Sequence, residues 1–263
     1  MGVAELDARM KLRVGDIEVA RIGLGTNRLR NTPAKVDFVR EAIAAGIGMI
    51  DTAHSYTEGA SEATIGAAVA SEPEDSVIAT KGGIGGPGRG RPDVLRAEIE
   101  ESFRRLRTET IALYYLHRVD PETPIEESLG AINEYRERGQ IRHVGISNVS
   151  IEQIDRARRV LPIAAVQNHY NLSERDHEEV VDYCEREEIV FVPYFPLGGK
   201  GGPALAEIAA RHDASRVQIT LAWLLKRSPA MLPIPGTLSL EHLRENVAAL
   251  QIELSEEEYE ALR

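Results

Sequence analysis

The order of apolar and amphipathic segments is the property of this sequence that most restricts its fold. Short apolar runs, which are typical of strands, alternate with longer stretches of helical periodicity over most of the chain. Several of the runs lack polar–apolar alternation, as parallel strands buried on both faces do. Eight runs occur, at residues 21–24, 48–51, 77–80, 111–116, 143–146, 165–167, 189–193 and 231–234. A parallel β/α fold is therefore predicted.

The number of these units favours a closed (β/α)8 barrel, the TIM-barrel fold. The length of 263 residues is close to the roughly 250 of one such barrel. An open, doubly wound sheet is the alternative, because periodicity does not reveal closure. No linker or break in composition divides the chain, so residues 1–263 are expected to form a single domain. Helical stretches lie between the runs at residues 37–45, 94–106, 125–138, 151–160 and 175–186.

Two additions to the repeat are predicted. Residues 2–20 contain two short strand-like runs around Gly15-Asp16, which indicates an N-terminal β-hairpin. Helical stretches at residues 203–211 and 215–226 both follow the seventh run, so one of them is extra to the repeat. A short helix is expected after Ser255, a candidate N-cap.

The charge and the cysteine count exclude several classes of function. The net charge of −11 argues against binding to nucleic acid or to an anionic membrane. No apolar run approaches the length of a transmembrane helix. A single cysteine, Cys184, excludes an intrachain disulfide and a multi-cysteine metal site. The N-terminus lacks the apolar region of a secretory signal, and a cytoplasmic location is expected.

Four titratable residues, Asp51, Tyr56, Lys81 and His117, follow the second, third and fourth apolar runs or end them. Taken singly, they have ordinary explanations, namely a turn cap, a loop aromatic, a solvated lysine and a core histidine. In a barrel, however, the carboxyl ends of all strands meet on the face that carries the active site. The four residues therefore predict a site for proton transfer in which a tyrosine is the central group.

Residues 82–90 are rich in glycine and match G-x-G-x-x-G at positions 83–88. A dinucleotide-binding fingerprint requires the last glycine to open a helix directly. Here Pro87 interrupts the turn, and residues 89–92 precede the helical stretch. A flexible βα loop that covers a bound ligand is the better interpretation.

Polar groups also follow the later strands. Ser147, Asn148 and Gln167 offer hydroxyl and amide groups for a flat carboxamide ligand, although each is also a common turn former. Tyr194 offers a ring for stacking. A phosphate group needs backbone amides near a late helix N-terminus, for which residues 237–246 are the candidate.

The chain resembles an aldo-keto reductase, and the resemblance extends from residue 23 to residue 246. The motifs that carry it are Gly46-Ile-Gly-Met-Ile-Asp-Thr-Ala-His-Ser-Tyr56, Glu62 with Gly66, Thr80-Lys81, Leu116-His-Arg-Val-Asp-Pro121, Gly139-Gln-Ile-Arg-His-Val-Gly-Ile-Ser-Asn148, Val166-Gln-Asn168, Pro196-Leu-Gly198 and Glu245-Asn246. It implies a (β/α)8 barrel with an N-terminal hairpin and an extended NAD(P)H at the strand ends. It also implies that Asp51, Tyr56, Lys81 and His117 form a catalytic tetrad.

The resemblance further implies which residues bind the cofactor, and the sequence departs from the family at three positions. Thr57 replaces a glycine that commonly follows the tyrosine, while Gly236 and His242 replace the lysine and arginine that hold the 2′-phosphate of NADPH in many members. NADPH is expected, with NADH as the alternative, and Arg244 is a nearby spare cation. The expected cofactor contacts are Gly25, Thr26, Asn27, Asp51, Ser147, Asn148, Gln167, Tyr194, Pro196, Leu197, Gly198, Thr237, Ser239, His242, Glu245 and Asn246.

The predicted reaction is the reduction of small aldehydes and ketones without a metal, by a monomer. Tyr56 is expected to donate the proton, and Lys81 is expected to lower the pKa of Tyr56. Asp51 is expected to orient Lys81, and His117 is expected to align the carbonyl of the substrate. The expected walls of the substrate site are His54, Phe195 and the loop at residues 82–90. The alternatives are a cofactor-binding regulatory or sensor subunit and a lyase or isomerase that uses Lys81 as a Schiff-base amine.

Overall fold

A β-hairpin precedes the main sheet. In the computed structural model, which describes residues 6–69, 77–199 and 202–263, β1 (Lys11–Val14) and β2 (Ile17–Ala20) pair antiparallel. Gly15 in the connecting turn has a φ of +61°, a backbone conformation that glycine adopts without strain. The predicted hairpin is confirmed from residue 6 onward, and residues 2–5 of the predicted segment lie outside the described residues.

Seven parallel strands of the described residues form one sheet in the order in which they occur along the chain. Each strand pairs in parallel with the next one along the chain, so the strand order never reverses within the sheet. The strands are β3 (Leu24–Gly25), β4 (Met49–Asp51), β5 (Val77–Gly82), β6 (Ile111–Leu116), β7 (Ile141–Ser147), β8 (Ala165–His169) and β9 (Val190–Tyr194).

Helices connect the strands and cover the outside of the sheet. Many begin with a recognisable signal: α1, α3 and α7 below have proline in the first turn, and the serines before α5, α8 and α10 form capping boxes. The helices are α1 (Pro33–Ala44), α2 (Ala60–Val69), α3 (Pro92–Leu106), α4 (Ile125–Glu137), α5 (Ile151–Arg158), α6 (Glu178–Arg186), α7 (Pro203–Arg211), α8 (Arg216–Arg227), α9 (Leu240–Ala248) and α10 (Glu256–Ala261). Both α7 and α8 follow β9, as predicted.

The eighth predicted strand is an extended segment rather than a regular strand. Its backbone bridges β9 at Met231 and β3 at Gly236, so the segment fills the space between the two edges of the sheet. Gly23 N donates to Pro233 O at 2.9 Å, and Leu232 N donates to Phe191 O at 2.9 Å. Proline has no N–H, so Pro233 cannot complete a two-sided ladder. The barrel is nearly closed, which excludes the open doubly wound sheet.

Two layers of apolar side chains hold this arrangement together. One layer fills the barrel, and Val14 and Val19 of the hairpin extend it. The other lies between the strands and the helices. It includes Trp223 and Tyr170, whose rings stack with their centroids 6.1 Å apart. Among the described residues, no helix is both long and apolar enough to cross a membrane.

Helix α2 was absent from the sequence prediction for a physical reason. It buries residues around most of its circumference, including the polar Ser61, Glu62 and Thr64. Since it has no solvated face, it lacks the amphipathic stripe that periodicity detects. The Glu62 carboxylate accepts a hydrogen bond from Thr80 at 2.6 Å and pairs with Arg105 at 3.3 Å, so the helix is tied to β5 and α3.

Candidate active site

Three adjacent strands bring the four titratable residues together. Asp51 ends β4, Lys81 is near the end of β5, and His117 follows β6. The N–H of His117 donates to Gly82 O at 2.8 Å, which continues the sheet pairing to the end of the strands. Tyr56 lies after β4 in a turn of 3-10 helix. These residues meet at the carboxyl ends of the strands, as the sequence predicted.

The Lys81 ammonium is fully buried and has acceptors for all three of its protons. Its Nζ lies 2.5 Å from Asp51 Oδ1, 2.7 Å from Thr52 O and 3.5 Å from Tyr56 Oη. Asp51 is also buried, and its Oδ2 accepts from Gln167 Nε2 at 2.8 Å. Burial by itself lowers the pKa of Lys81, but Asp51 and Tyr56 outweigh it, so the net pKa lies above the usual value. Lys81 is therefore a fixed cation.

Tyr56 differs from the sequence prediction in its acidity. Burial raises its pKa above 10, and the opposing effect of Lys81 does not cancel this rise. The expectation that Lys81 brings the pKa below the usual value is therefore wrong for the protein without ligands. The sequence shows that a cation is present but not how deeply the phenol is buried. At neutral pH the phenol carries its proton.

His117 is a neutral imidazole in this environment. Its ring meets that of Tyr56 edge-on, with centroids 5.9 Å apart, and the residue is only 7% exposed. Burial, followed by the charges of Lys81 and Arg118, lowers its pKa to about 3. Its Nδ1 is buried without a hydrogen-bond partner among the described residues. The ring can act as a hydrogen-bond donor or acceptor but not as a cation at neutral pH.

The turn after Tyr56 explains one departure from the family. Thr57 has a φ of +48°, in the left-handed region that favours glycine. Its Oγ1 donates to Leu29 O at 2.7 Å, which partly offsets the strain. Thr57 thus takes a backbone conformation that glycine at the same position would adopt without strain.

The tetrad opens into a cavity of about 820 Å³, within the usual range for a small-molecule site. Most of the side chains that the sequence predicted on this face line it. These are Gly25, Thr26, Asn27, Asp51, Tyr56, His117, Ser147, Asn148, Gln167, Tyr194, Phe195, Pro196, Leu197 and Gly198. Lys81 is absent from the lining because it lies behind Asp51 and Tyr56. Ile84 also lines the cavity, so the glycine-rich loop at residues 82–90 reaches its wall.

The amide groups at the base of the cavity already have partners within the protein. Asn148 Nδ2 lies 3.2 Å from His117 O and 3.0 Å from Ser147 Oγ, and its Oδ1 accepts from Tyr194 Oη at 2.8 Å. Asn148 has a φ of +59°, a region that asparagine tolerates. These bonds hold the polar groups in place on the cavity floor. A carboxamide ligand would share or exchange them.

The aromatic wall of the cavity is larger than predicted. The ring of Tyr194 stacks on His169, with centroids 5.2 Å apart and an interplanar angle of 6°. Phe195 meets both rings edge-on and is 61% exposed, at a φ of +48°. Phe195 was predicted as a wall residue and lines the cavity. His169 was not predicted, because a histidine inside a polar strand exit carries no distinctive pattern.

His54 was also expected to line the substrate site, and this expectation is wrong for the cavity described here. Arg105 Nη1 donates to the carbonyl oxygen of His54 at 2.9 Å and lies 3.4 Å from its Nδ1. His54 therefore faces Arg105 and its ion-pair partner, the buried Glu62, instead of the cavity. Sequence position within the strand exit could not show which way the side chain turns.

The late residues of the predicted cofactor set lie beyond the cavity. The cavity edge at Gly236 leads directly to Thr237, whose Oγ1 accepts from Ser239 N at 3.1 Å. Ser239 caps α9 by accepting from His242 N at 3.4 Å. Glu245 and Asn246 lie further along α9. Arg244 is exposed, and its Nη2 lies 3.9 Å from Oε2 of Glu41.

Several residues that line the cavity have no distinctive pattern in the sequence. Arg28 and Arg118 resemble ordinary exposed arginines in the sequence, and only the strand ends beside them indicate that they face a cavity. Ile234 and Pro235 were assigned to a strand or its exit without a site role. All of these residues line the cavity, together with Gly236.

The cavity fits an extended nicotinamide cofactor. Its lining runs from the amides at Asn148 and Gln167, past the aromatic wall, to the backbone at Gly25 and Gly236. A Cβ on Gly25 would lie 2.8 Å from Ile234 O, so glycine leaves room for close approach of the backbones. Within the parts of the chain that the structure describes, no group of three or more histidine, cysteine, aspartate or glutamate side chains could hold a metal ion.

Comparison with known proteins gives consistent matches over nearly the whole chain. An uncharacterised oxidoreductase of Schizosaccharomyces pombe is 38% identical in an alignment 270 positions long, which covers 95% of this chain and 88% of the relative. Pyridoxine 4-dehydrogenase of Escherichia coli K12 is 34% identical in an alignment 271 positions long, which covers 93% of this chain and 94% of the relative.

A solved structure agrees with the sequence comparisons. An aldo-keto reductase from Klebsiella pneumoniae, in complex with NADPH, has a TM-score of 0.87 and 28% identity, and the match covers 97% of this chain and 94% of that one. The model of the Aldo/keto reductase family matches residues 21–202 and 200–263. With the fold, the site geometry and these matches in agreement, the chain belongs to the aldo/keto reductase family.

Proposed function

We propose that this protein reduces small aldehydes and ketones to alcohols with NADPH, and that Tyr56 donates the proton. The observation that carries the proposal is the buried Lys81–Asp51 pair, whose ammonium faces Tyr56 Oη beside a neutral His117 at the base of a ligand-sized cavity. The NADPH complex of the Klebsiella pneumoniae relative supports the choice of cofactor.

The residues that would hold the cofactor lie along the cavity. Asn148 and Gln167, with Ser147, would bind the carboxamide, and the ring of Tyr194 would support the nicotinamide. The rest of the cofactor would lie against Gly25 to Asn27, Asp51 and Pro196 to Gly198. The adenosine end of the cofactor would lie near Thr237, Ser239, His242, Glu245 and Asn246. When bound, NADPH supplies the hydride, and the protein supplies position and a proton.

The chemistry of Tyr56 suits reduction. Its raised pKa keeps the phenol protonated at neutral pH, so the proton is available when negative charge develops on the substrate oxygen. The fixed ammonium of Lys81 stabilises the phenolate that remains after transfer. Asp51 keeps this ammonium charged and in place through the 2.5 Å contact. Lys81 and Asp51 thus act through Tyr56.

His117 would align the substrate. Because its Nδ1 is buried and without a partner, a proton on Nε2 serves better, since it can donate to a carbonyl oxygen in the cavity. A pKa of about 3 makes His117 an unsuitable source of a full proton at neutral pH. This assigns proton donation to Tyr56 and orientation to His117.

The Schiff-base alternative does not suit Lys81. A nucleophilic amine must lose its proton and reach the substrate. The amine of Lys81 is fully buried, hydrogen-bonded to Asp51, and has a raised pKa. Each of these properties opposes attack on a carbonyl.

Label transfer tests the proposed reaction. The protein is incubated with NADPH deuterated at C4 on either face and with benzaldehyde, and the benzyl alcohol is analysed by mass spectrometry. Deuterium from one face only is expected at the carbinol carbon. An absence of deuterium from both labelled forms, or covalent trapping of the aldehyde on Lys81 by borohydride, would contradict the proposal.

A further inference from the structure

The charged groups of the cavity are unusual for so acidic a chain. The protein carries a net charge of −11, yet the charged side chains that line the cavity are Arg28, Asp51 and Arg118. Asp51 is neutralised by the buried Lys81 at 2.5 Å. The two arginines therefore leave the cavity with a positive wall, which attracts anionic ligands.

Among the residues that the structure describes, Arg118 has no carboxylate partner, whereas many arginines of this chain have one. Arg96 and Arg156, for comparison, each bind a glutamate through two nitrogens, with Glu134 and Glu126 as partners. Within the described ranges, the exposed guanidinium of Arg118 makes no hydrogen bond or ion pair. Its planar fork is thus available to a ligand with matching geometry.

Arg118 also lies at the reacting end of the cavity. It directly follows His117 at the end of β6 and lines the same space. After the larger effect of burial, its charge contributes to the lowered pKa of His117 and opposes the rise in the pKa of Tyr194. Arg118 therefore shares the cavity with the carbonyl-binding histidine and the aromatic wall.

We propose that Arg118 binds a carboxylate on the substrate, so that the preferred substrates are aldehydes or ketones that carry a carboxylate group. This inference rests on the proposed carbonyl reduction and specifies its substrate class. A guanidinium and a carboxylate form two parallel charge-assisted hydrogen bonds, which fix direction as well as distance. With the carbonyl oxygen at Tyr56 and His117 and the carboxylate at Arg118, the substrate is held at two points.

The rest of the cavity wall is suited to the carbon skeleton between these two points. Ile84 and Phe195, which we do not assign to the cofactor, give the same cavity apolar surface. Arg28 has a different place, next to the segment Gly25 to Asn27 that we propose contacts the cofactor. The two cations therefore serve different ligands, and only Arg118 should distinguish between substrates.

A matched pair of aldehydes tests the proposal. The substrates are 4-carboxybenzaldehyde and its methyl ester, methyl 4-formylbenzoate, which share the ring and the aldehyde but differ in charge. The wild-type holoenzyme is expected to show a kcat/KM at least tenfold higher for the acid, mainly through KM. R118Q is expected to lower kcat/KM for the acid by about tenfold, or about 1.4 kcal/mol, and to change that for the ester by less than threefold. R118K, which keeps the charge but not the fork, should retain part of the preference.

Two further variants serve as controls. R216Q removes an exposed arginine at the start of α8, outside the cavity lining, and should leave both substrates unaffected. R28Q should leave the ratio of the two kcat/KM values unchanged. The preference for the acid should also fall as NaCl is added, because salt screens an exposed ion pair.

The outcomes separate this inference from the proposed function. Reduction of both aldehydes with equal kcat/KM, a preference that survives in R118Q, or a preference lost in R28Q would overturn the role of Arg118 and leave carbonyl reduction standing. Failure of the wild-type protein to reduce either aldehyde would overturn the proposed function and this inference with it.

Discussion

The Lys81–Asp51 pair places two charges in the interior of the protein beside Tyr56. Both groups are fully or almost fully buried, and each has further hydrogen bonds, to Thr52 and Gln167. A buried ion pair of this kind often stabilises a fold no better than apolar side chains of similar size. Its presence at the base of the cavity is therefore better explained by its effect on Tyr56 than by stability.

Removal of one partner should harm stability more than removal of both. K81M leaves the Asp51 carboxylate buried without its cation, which should lower the free energy of unfolding by roughly 3–5 kcal/mol. The double variant D51N/K81M removes both charges and should recover most of that loss while remaining inactive. Urea denaturation of the three proteins measures the difference. A double variant as unstable as K81M would contradict this account of the pair.

The lowered pKa of His117 predicts a dependence of stability on pH. The histidine has a pKa of 6.5 in the unfolded chain and about 3 in the folded protein. Between these values the unfolded chain binds a proton that the folded protein does not, so the free energy of unfolding falls as the pH falls from 6.5 towards 3. H117N cannot titrate and should show a shallower slope in urea denaturation across this window. Equal slopes for the two proteins would contradict the burial of a neutral imidazole.

At the scale of the elements, the glycine-rich loop depends on the strand exit next to it. Asp120 accepts hydrogen bonds from Gly88 N at 3.0 Å and Gly90 N at 2.8 Å. Burial alone would raise the pKa of Asp120, but bonds from Glu122, Gly90, Thr123 and Gly88 lower it to about 2. The loop that carries Ile84 to the cavity is therefore anchored by a carboxylate.

Loss of this anchor should affect binding more than chemistry. D120A removes the acceptor for both glycine N–H groups and should destabilise the protein by roughly 2–3 kcal/mol. It should raise KM for aldehydes several-fold with a smaller change in kcat, since the tetrad is not altered. Steady-state kinetics and thermal denaturation measure both effects, with E109Q, a change of an exposed acidic residue, as the control. A fall in kcat with an unchanged KM would show that the loop acts on the chemistry instead.

The elements also show how far sequence reasoning extends. Apolar runs located the strands, because burial on both faces leaves an unmistakable pattern, and their exits located Asp51, Tyr56, Lys81 and His117. Periodicity did not reveal α2, which is buried nearly all round, or the interruption of the last strand at Pro233. The acidity of Tyr56 depends on its depth of burial, which emerges only when distant segments pack together.

At the scale of the whole molecule, we propose that residues 1–263 form one domain that acts as a monomer. The apolar layer inside the barrel includes side chains from the hairpin, from β4, β5, β6, β8 and β9, and from residues 232 and 234, so these parts should unfold together. A single thermal transition is expected, with a midpoint that does not change on tenfold dilution, and light scattering should give a mass near 29.0 kDa. Two separate transitions or a mass near twice this value would contradict the proposal.

The account as a whole depends on proton donation by Tyr56, which Y56F tests most directly. The variant removes one oxygen and keeps the ring against His117. NADPH titration by fluorescence should give a dissociation constant within about threefold of wild type, while kcat for aldehyde reduction should fall by at least about 100-fold, the usual minimum for loss of a general acid. Normal NADPH binding with a kcat near the wild-type value would contradict the central claim.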